Sequence, residues 1–264
     1  MNNRLYGVLY GDIAGSTYEF RSVTNYNFTT VPPNSRFTDD TVMTCAVASW
    51  LMLDPTNTNI LVEEMQRLGN QYAKAGYGGM FRKWLKAKNP EPYNSFGNGS
   101  AMRVAPCAWV AKSLIEAEKL AEVSASVTHN HPEGIKGAQA VAAAIFMARM
   151  GKSKEDIQEY IETKYGYDLN RTVDDIVEDD YSFDSTCQGS VPEAIIAFLD
   201  GENYEDVIRK AIYLGGDADT QAAIAGSIAE AFYGTPNHVS HYVHKYVDEP
   251  LLEIINKFNE FCNE

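Results

Sequence analysis

No stretch of about 18 consecutive apolar residues occurs in this chain of 264 residues, so it offers no membrane-spanning helix. No N-terminal signal pattern is present either, and the expectation is a soluble, cytoplasmic protein. Cysteine is scarce: Cys45, Cys107, Cys187 and Cys262 are far apart, with no CxxC spacing, which argues against a disulfide framework or a thiolate metal site. Basic charge is also short. The net charge is −14, and the densest basic cluster, "FRKWLKAK" (81–88), reads as one solvated helix face. Such a surface repels phosphate backbones and speaks against a nucleic-acid partner. Strand signals are nearly missing too, since "NYNFTTVP" (25–32) alternates only briefly beside two prolines.

What remains is helical. Hydrophobic residues make up 45% of the chain, enough for a sizeable core. In 40–52, Val42, Cys45, Ala46, Ser49 and Met52 fall at three- and four-residue steps. Similar patterns predict helices over 60–75, 98–111, 113–127, 133–150, 153–164, 190–200, 203–214, 219–233 and 248–262. The acidic stretch 174–185 is expected to be a solvated loop rather than a linker, so residues 1–264 form a single all-α domain.

Two segments stand out against this background. "FTDDT" (37–41) and "GGDADT" (215–220) each place Asp and Thr where a small-residue helix begins. Capping is the ordinary explanation, because free N–H groups and the helix dipole favour carboxylates there. Capping needs one oxygen, however, and each segment supplies at least three. A third segment, "YGDIAGSTYEF" (10–20), combines glycines at 11 and 15 with Glu19 on what should be the same element. If Glu19, Asp39, Asp40, Asp217 and Asp219 shared one cavity, five carboxylates would repel until some protonated or cations intervened. Two divalent ions would bring +4 against −5, and oxygen-only ligation would select Mg²⁺ or Mn²⁺.

Other polar segments are less specific. "SFGNGSAMR" (95–103) is a glycine-rich helix entrance able to cradle a phosphate, or simply a turn. "GYGG" (76–79) is a close-approach segment or a helix C-cap. In "THNHPEG" (128–134), His131 reads as a cap and His129 is open to a substrate contact. Arg103 could meet a phosphate or anchor a loop to a carboxylate.

Taken in order, "GDIAGSTYEF", "FTDDTVMT", "SFGNGSAMR", "THNHPEGIKGAQA" and "GGDADTQAAIAGSIAEAFYG" resemble the ADP-ribosylglycohydrolases over about residues 4 to 234. That resemblance implies a compact orthogonal multi-helix bundle around a central pair of Mg²⁺ or Mn²⁺ ions. It implies Thr38, Asp39, Asp40, Asp217, Asp219 and Thr220 as metal ligands, with Glu19, Asp40 and Asp217 in the catalytic role. Gly78, Gly79, Ser95, Phe96, Gly97, Asn98 and Gly99 would hold ADP-ribose, with Phe96 on the adenine and His129 near the distal ribose. The expected activity is hydrolysis of the N- or O-glycosidic bond joining ADP-ribose to a protein side chain or small molecule, by a monomer. The alternatives are a metal-dependent nucleotide phosphohydrolase and a non-catalytic binding or structural relative. Two positions depart from some relatives: Ala218 stands where several have Thr, and Ser95 where the nitrogenase-activating type carries an acidic residue.

Overall fold

Glycines at positions 7, 11 and 15 recur every four residues, one stripe along a helix. In the computed structural model, which describes residues 3–21 and 23–263, this stripe lets α1 (Tyr6–Gly15) lie directly on the backbone of α12 (Ala218–Tyr233). A Cβ on Gly11 would stand 2.1 Å from the carbonyl oxygen of Ala222, and one on Gly15 would stand 2.3 Å from that of Ala218. The pairing runs antiparallel, Gly7 meeting Gly226 at the far end. The C-terminal end of α1 is thereby fixed beside the N-terminal end of α12. Every residue of α1 is buried.

Around this pair the chain is all-α, with no strand among the described residues. The remaining helices are α2 (Asp39–Leu53), α3 (Thr58–Gln71), α4 (Gly79–Leu85), α5 (Ala105–Val110), α6 (Leu114–Ser126) and α7 (Pro132–Arg149). They continue with α8 (Lys154–Tyr165), α9 (Val173–Glu178), α10 (Cys187–Asp200), α11 (Tyr204–Tyr213), α13 (Asn237–Tyr246) and α14 (Glu249–Phe261). The expected all-α bundle is what forms. Alanine-rich α7 and α12 supply much of its centre, and Cys45, Cys107 and Cys187 are buried free thiols within it.

Three expectations are corrected, and one helix is new. Residues 98–111 are not one helix: a 3₁₀ turn spans Asn98–Ser100, and α5 begins anew at Ala105. Pro106, in the first turn of α5, has no N–H with which to continue an earlier helix. Part of 174–185 is helical, because Val173 and Ile176 bury three residues apart in α9. Helix α13 went unpredicted because its buried stripe is only Val239 and Val243. Finally, Glu19 lies beyond α1, in the turn that follows Gly15.

Candidate active site

Three helix ends meet where α1 finishes. Asp12, on the last turn of α1, is wholly buried and accepts from the backbone N–H of Thr38 (2.9 Å) and of Thr41 (3.1 Å) at the entrance of α2. The Thr38 hydroxyl donates to the same carboxylate at 2.8 Å, and the Thr41 hydroxyl joins it. An N-terminal residue such as Thr38 ordinarily caps its own helix through its side-chain oxygen. Here it makes no such bond, because Asp12 caps α2 from another helix. That substitution leaves the Thr38 oxygen and both aspartates that follow it free of capping duty. Nothing in the local sequence marks Asp12, since a carboxylate that serves a neighbouring helix reads like one that faces solvent.

Opposite stands the entrance of α12. Gly215 (φ 77°) and Gly216 (φ 73°) take left-handed conformations that reverse the chain after α11 and present Asp217 at the helix mouth. The amide of Asn98 holds Asp217 Oδ2 at 2.7 Å and is itself braced on Ser190 at 3.1 Å. Oxygens of Asp12, Asp40 and Asp219 lie within 4.8 Å of one another, and so do those of Glu19, Asp217 and Asp219. Asp219 belongs to both groups. Thr220 reaches Asp40 Oδ2 at 3.5 Å, and Thr38 reaches it at 3.0 Å. Asp39 lies outside both groups but lines the same cleft, where only a glycine at 76 leaves room for its Oδ1, 2.8 Å from a would-be Cβ.

The electrostatics follow from this crowding. Burial first, and then the charge of Asp219, raise the carboxyls of Asp12 and Glu19 to about 7. Burial likewise drives Asp39, Asp40 and Asp217 well above the ordinary carboxylate range, with neighbouring aspartates adding to it. Asp40 Oδ1 is buried with no hydrogen-bond partner, although an ionised carboxylate oxygen so placed is costly unless a cation or proton meets it. All the donors are oxygens, and such a set suits hard divalent cations.

The cluster forms one end of a cleft of about 580 Å³. Gly78, Gly79, Ser95, Phe96, Gly97, Asn98, Gly99 and His129 all line it, so every residue proposed for binding from the sequence faces the same space as the carboxylates. Gly78 and Gly79 open α4, with nothing within 4 Å of where their Cβ atoms would be. Phe96 is 44% exposed, which excludes a core role, and its ring meets the edge of His131 at 5.2 Å. His131 caps α7, as expected. Two amides of the glycine-rich loop are spent within the protein, Gly97 on Ser95 Oγ and Asn98 on the Ser185 carbonyl. Those of Ser95 and Phe96 have no partner among the described residues. Phe183, Ser185 and Thr186 complete the wall, so the stretch read as a solvated acidic loop also borders the site. Arg103 pairs with no carboxylate among the described residues; it donates to the carbonyls of Gly99 and Ser124 and to the Thr128 hydroxyl.

The model of the ADP-ribosylglycohydrolase family matches residues 3–261, and the chain belongs to that family. It is 29% identical to ADP-ribosylhydrolase ARH3 of Mus musculus, the match covering 87% of this chain and 82% of the relative, and 28% identical to the Homo sapiens protein of that name. ADP-ribosylarginine hydrolase Tri1 of Pseudomonas putida is 26% identical across 91% of this chain and 72% of its own. In fold, a solved "ADP-ribosylglycohydrolase-related protein complex" superposes with a TM-score of 0.73 over 97% of this chain and 95% of its own, at 23% identity.

Proposed function

We propose that this chain hydrolyses the N- or O-glycosidic bond between ADP-ribose and an acceptor, a protein side chain or a small molecule. The observation that carries the reading is the convergence of Glu19, Asp40, Asp217 and Asp219 from three distant segments at one end of a cleft. The rest of that cleft is open, glycine-lined and edged by an exposed phenylalanine. Two Mg²⁺ or Mn²⁺ ions fit the donor set, held by Thr38, Asp39, Asp40, Asp217, Asp219 and Thr220, with the carboxylate of Asp219 common to both acidic groups. Such ions would offset the carboxylate charge and supply Lewis acidity at the sugar. Asp12 keeps its oxygens engaged with Thr38 and Thr41, so it supports the ligands rather than joining them.

The scissile bond leaves the anomeric carbon of the distal ribose, and its departure builds positive charge on that ring. Buried carboxylates beside the ring stabilise that charge electrostatically. Glu19, half-buried on the turn after α1 and grouped with Asp217 and Asp219, orients the attacking water, takes its proton or assists the leaving group. Asn98 keeps Asp217 in place. Phe96 stacks on the adenine, the amides of Ser95 and Phe96 face the diphosphate, and Gly78, Gly79, Gly97 and Gly99 let the ligand approach the backbone closely. The chain acts as one unit over residues 1–264, as a cytoplasmic monomer.

Incubating the purified protein with defined ADP-ribosylated peptides and small adducts tests this. Intact ADP-ribose among the products supports it. AMP with ribose phosphate would instead mean that the pyrophosphate broke, the phosphohydrolase alternative, and no product from any adduct would return the chain to a binding role.

A further inference from the structure

Arg103 is 1% exposed and faces no carboxylate, an unusual place for a permanent cation. One of its terminal nitrogens, Nη2, spends its two protons on the Ser124 carbonyl (2.8 Å) and on Thr128 Oγ1 (2.9 Å). A guanidinium can only donate, so the threonine oxygen must accept there. The single hydroxyl proton of Thr128 then has two possible destinations. The Ala125 carbonyl is 3.5 Å away, beyond the usual O–H···O range, whereas His129 Nδ1 is at 2.7 Å. The proton therefore goes to Nδ1, and an Nδ1 that accepts cannot carry a proton of its own. On a neutral ring the proton must sit on Nε2. Burial, and then the charge of Arg103, hold His129 well below the ordinary histidine range, which keeps the ring neutral.

Nε2 has no protein partner among the described residues, and His129 lines the cleft. Glycines stand where side chains would cover it: a Cβ on Gly99 would lie 3.2 Å from Nε2, and one on Gly97 would lie 3.7 Å away. We infer that Arg103 and Thr128 are positioning residues that lock His129 in its neutral, Nε2-protonated form, so that the ring presents one fixed N–H donor to an acceptor oxygen of the ligand in the cleft. Only the identity of that ligand, ADP-ribose, rests on the function proposed above. The relay gives this buried arginine a role that needs no carboxylate: it dictates a tautomer one residue further on. Its logic is that of any histidine whose free nitrogen is assigned by the bond the other nitrogen makes.

Long-range ¹H–¹⁵N spectra of the ligand-free protein, labelled at histidine, read the tautomer directly. The bare-nitrogen signature is expected on Nδ1 of His129; finding it on Nε2, or finding a charged ring at neutral pH, overturns the inference. Thr128→Val keeps the shape and removes the relay, and should give a mixture of tautomers, while Thr128→Ser should restore the single form. A valine variant that folds, by circular dichroism, with the wild-type spectrum overturns the role of Thr128. If the valine variant does not fold, the serine variant and the wild-type spectrum still decide the matter. Calorimetry with ADP-ribose then reads the consequence: Thr128→Val should weaken binding roughly tenfold, the size of one lost hydrogen bond, and Thr128→Ser should recover it. Unchanged affinity in the valine variant shows that the donor does not meet the ligand. The spectra need no ligand, so they stand even if ADP-ribose proves not to bind, a result that would sink the proposed function instead.

Discussion

The two ends of the α1–α12 pair carry the same chemistry in different amounts. At one end Glu230 of α12 is buried and accepts from the backbone N–H of Leu5 at 3.0 Å, where α1 begins. Burial raises that carboxyl to about 8, opposed by the nearby amides of Gly7, Leu5 and Tyr6. One carboxylate meets one helix entrance, and the arrangement is a cap. At the other end Asp12 caps α2 in the same way, but Asp40 and Asp219 crowd it and Glu19 and Asp217 crowd Asp219, with no cationic side chain among the described residues bonded to them. A cap needs one acceptor, and the surplus oxygens are what mark a site. A lone buried carboxylate thus serves structure, and a cluster of them serves chemistry.

That contrast can be broken experimentally. The largest effect is expected from Asp217→Ala combined with Asp219→Ala, which should lower ADP-ribose release at least about a thousandfold, several kcal/mol of lost stabilisation. Circular dichroism should show the helices intact; full turnover in that variant removes the acidic cluster from the reaction. Asp12→Asn comes next. It should weaken Mn²⁺ binding about 10- to 100-fold, as when a supporting partner of a ligand is lost, and titration calorimetry measures it. Unaltered Mn²⁺ affinity would class Asp12 with Glu230. Glu230→Ala should cost about 1–2 kcal/mol of stability, a lost helix cap, in denaturant unfolding while Mn²⁺ affinity stays at the wild-type value.

The smallest effect concerns pH. The carboxyls of Asp12 and Glu19 hold protons more tightly in the folded chain, up to about 7, than in the unfolded chain, near 4. Folded protein thus binds more protons between those values, and stability must fall as pH rises through that window. With chelator present, the melting temperature should decline from pH 5 to pH 8, and saturating Mg²⁺ should flatten the decline by taking the protons' place. Equal slopes with and without Mg²⁺ would mean that no ion binds among these groups.

Much of this was legible in the sequence, unevenly. Helices with long apolar stripes, such as α2 and α7, were readable, whereas α13, with its two buried valines, was not. Asp39, Asp40, residues 95–99, Asp217, Asp219 and Thr220, which the family resemblance assigned to one site, line one cleft. Asp12 escaped because nothing local distinguishes a carboxylate that serves a neighbouring helix from one that faces solvent. Arg103 takes its oxygens from Gly99, Ser124 and Thr128 rather than from a carboxylate, because tertiary packing brings those three around it.

By itself, then, the order of residues determined the helical class, the helix entrances and which oxygens stand ready there, because periodicity and capping act over a few neighbours. Only the tertiary structure decided which carboxylates crowd together, which one caps a foreign helix and which histidine nitrogen faces the cleft. Those depend on backbones brought into contact by the glycine stripe of α1 on α12, a separation of some two hundred residues that no local pattern spans.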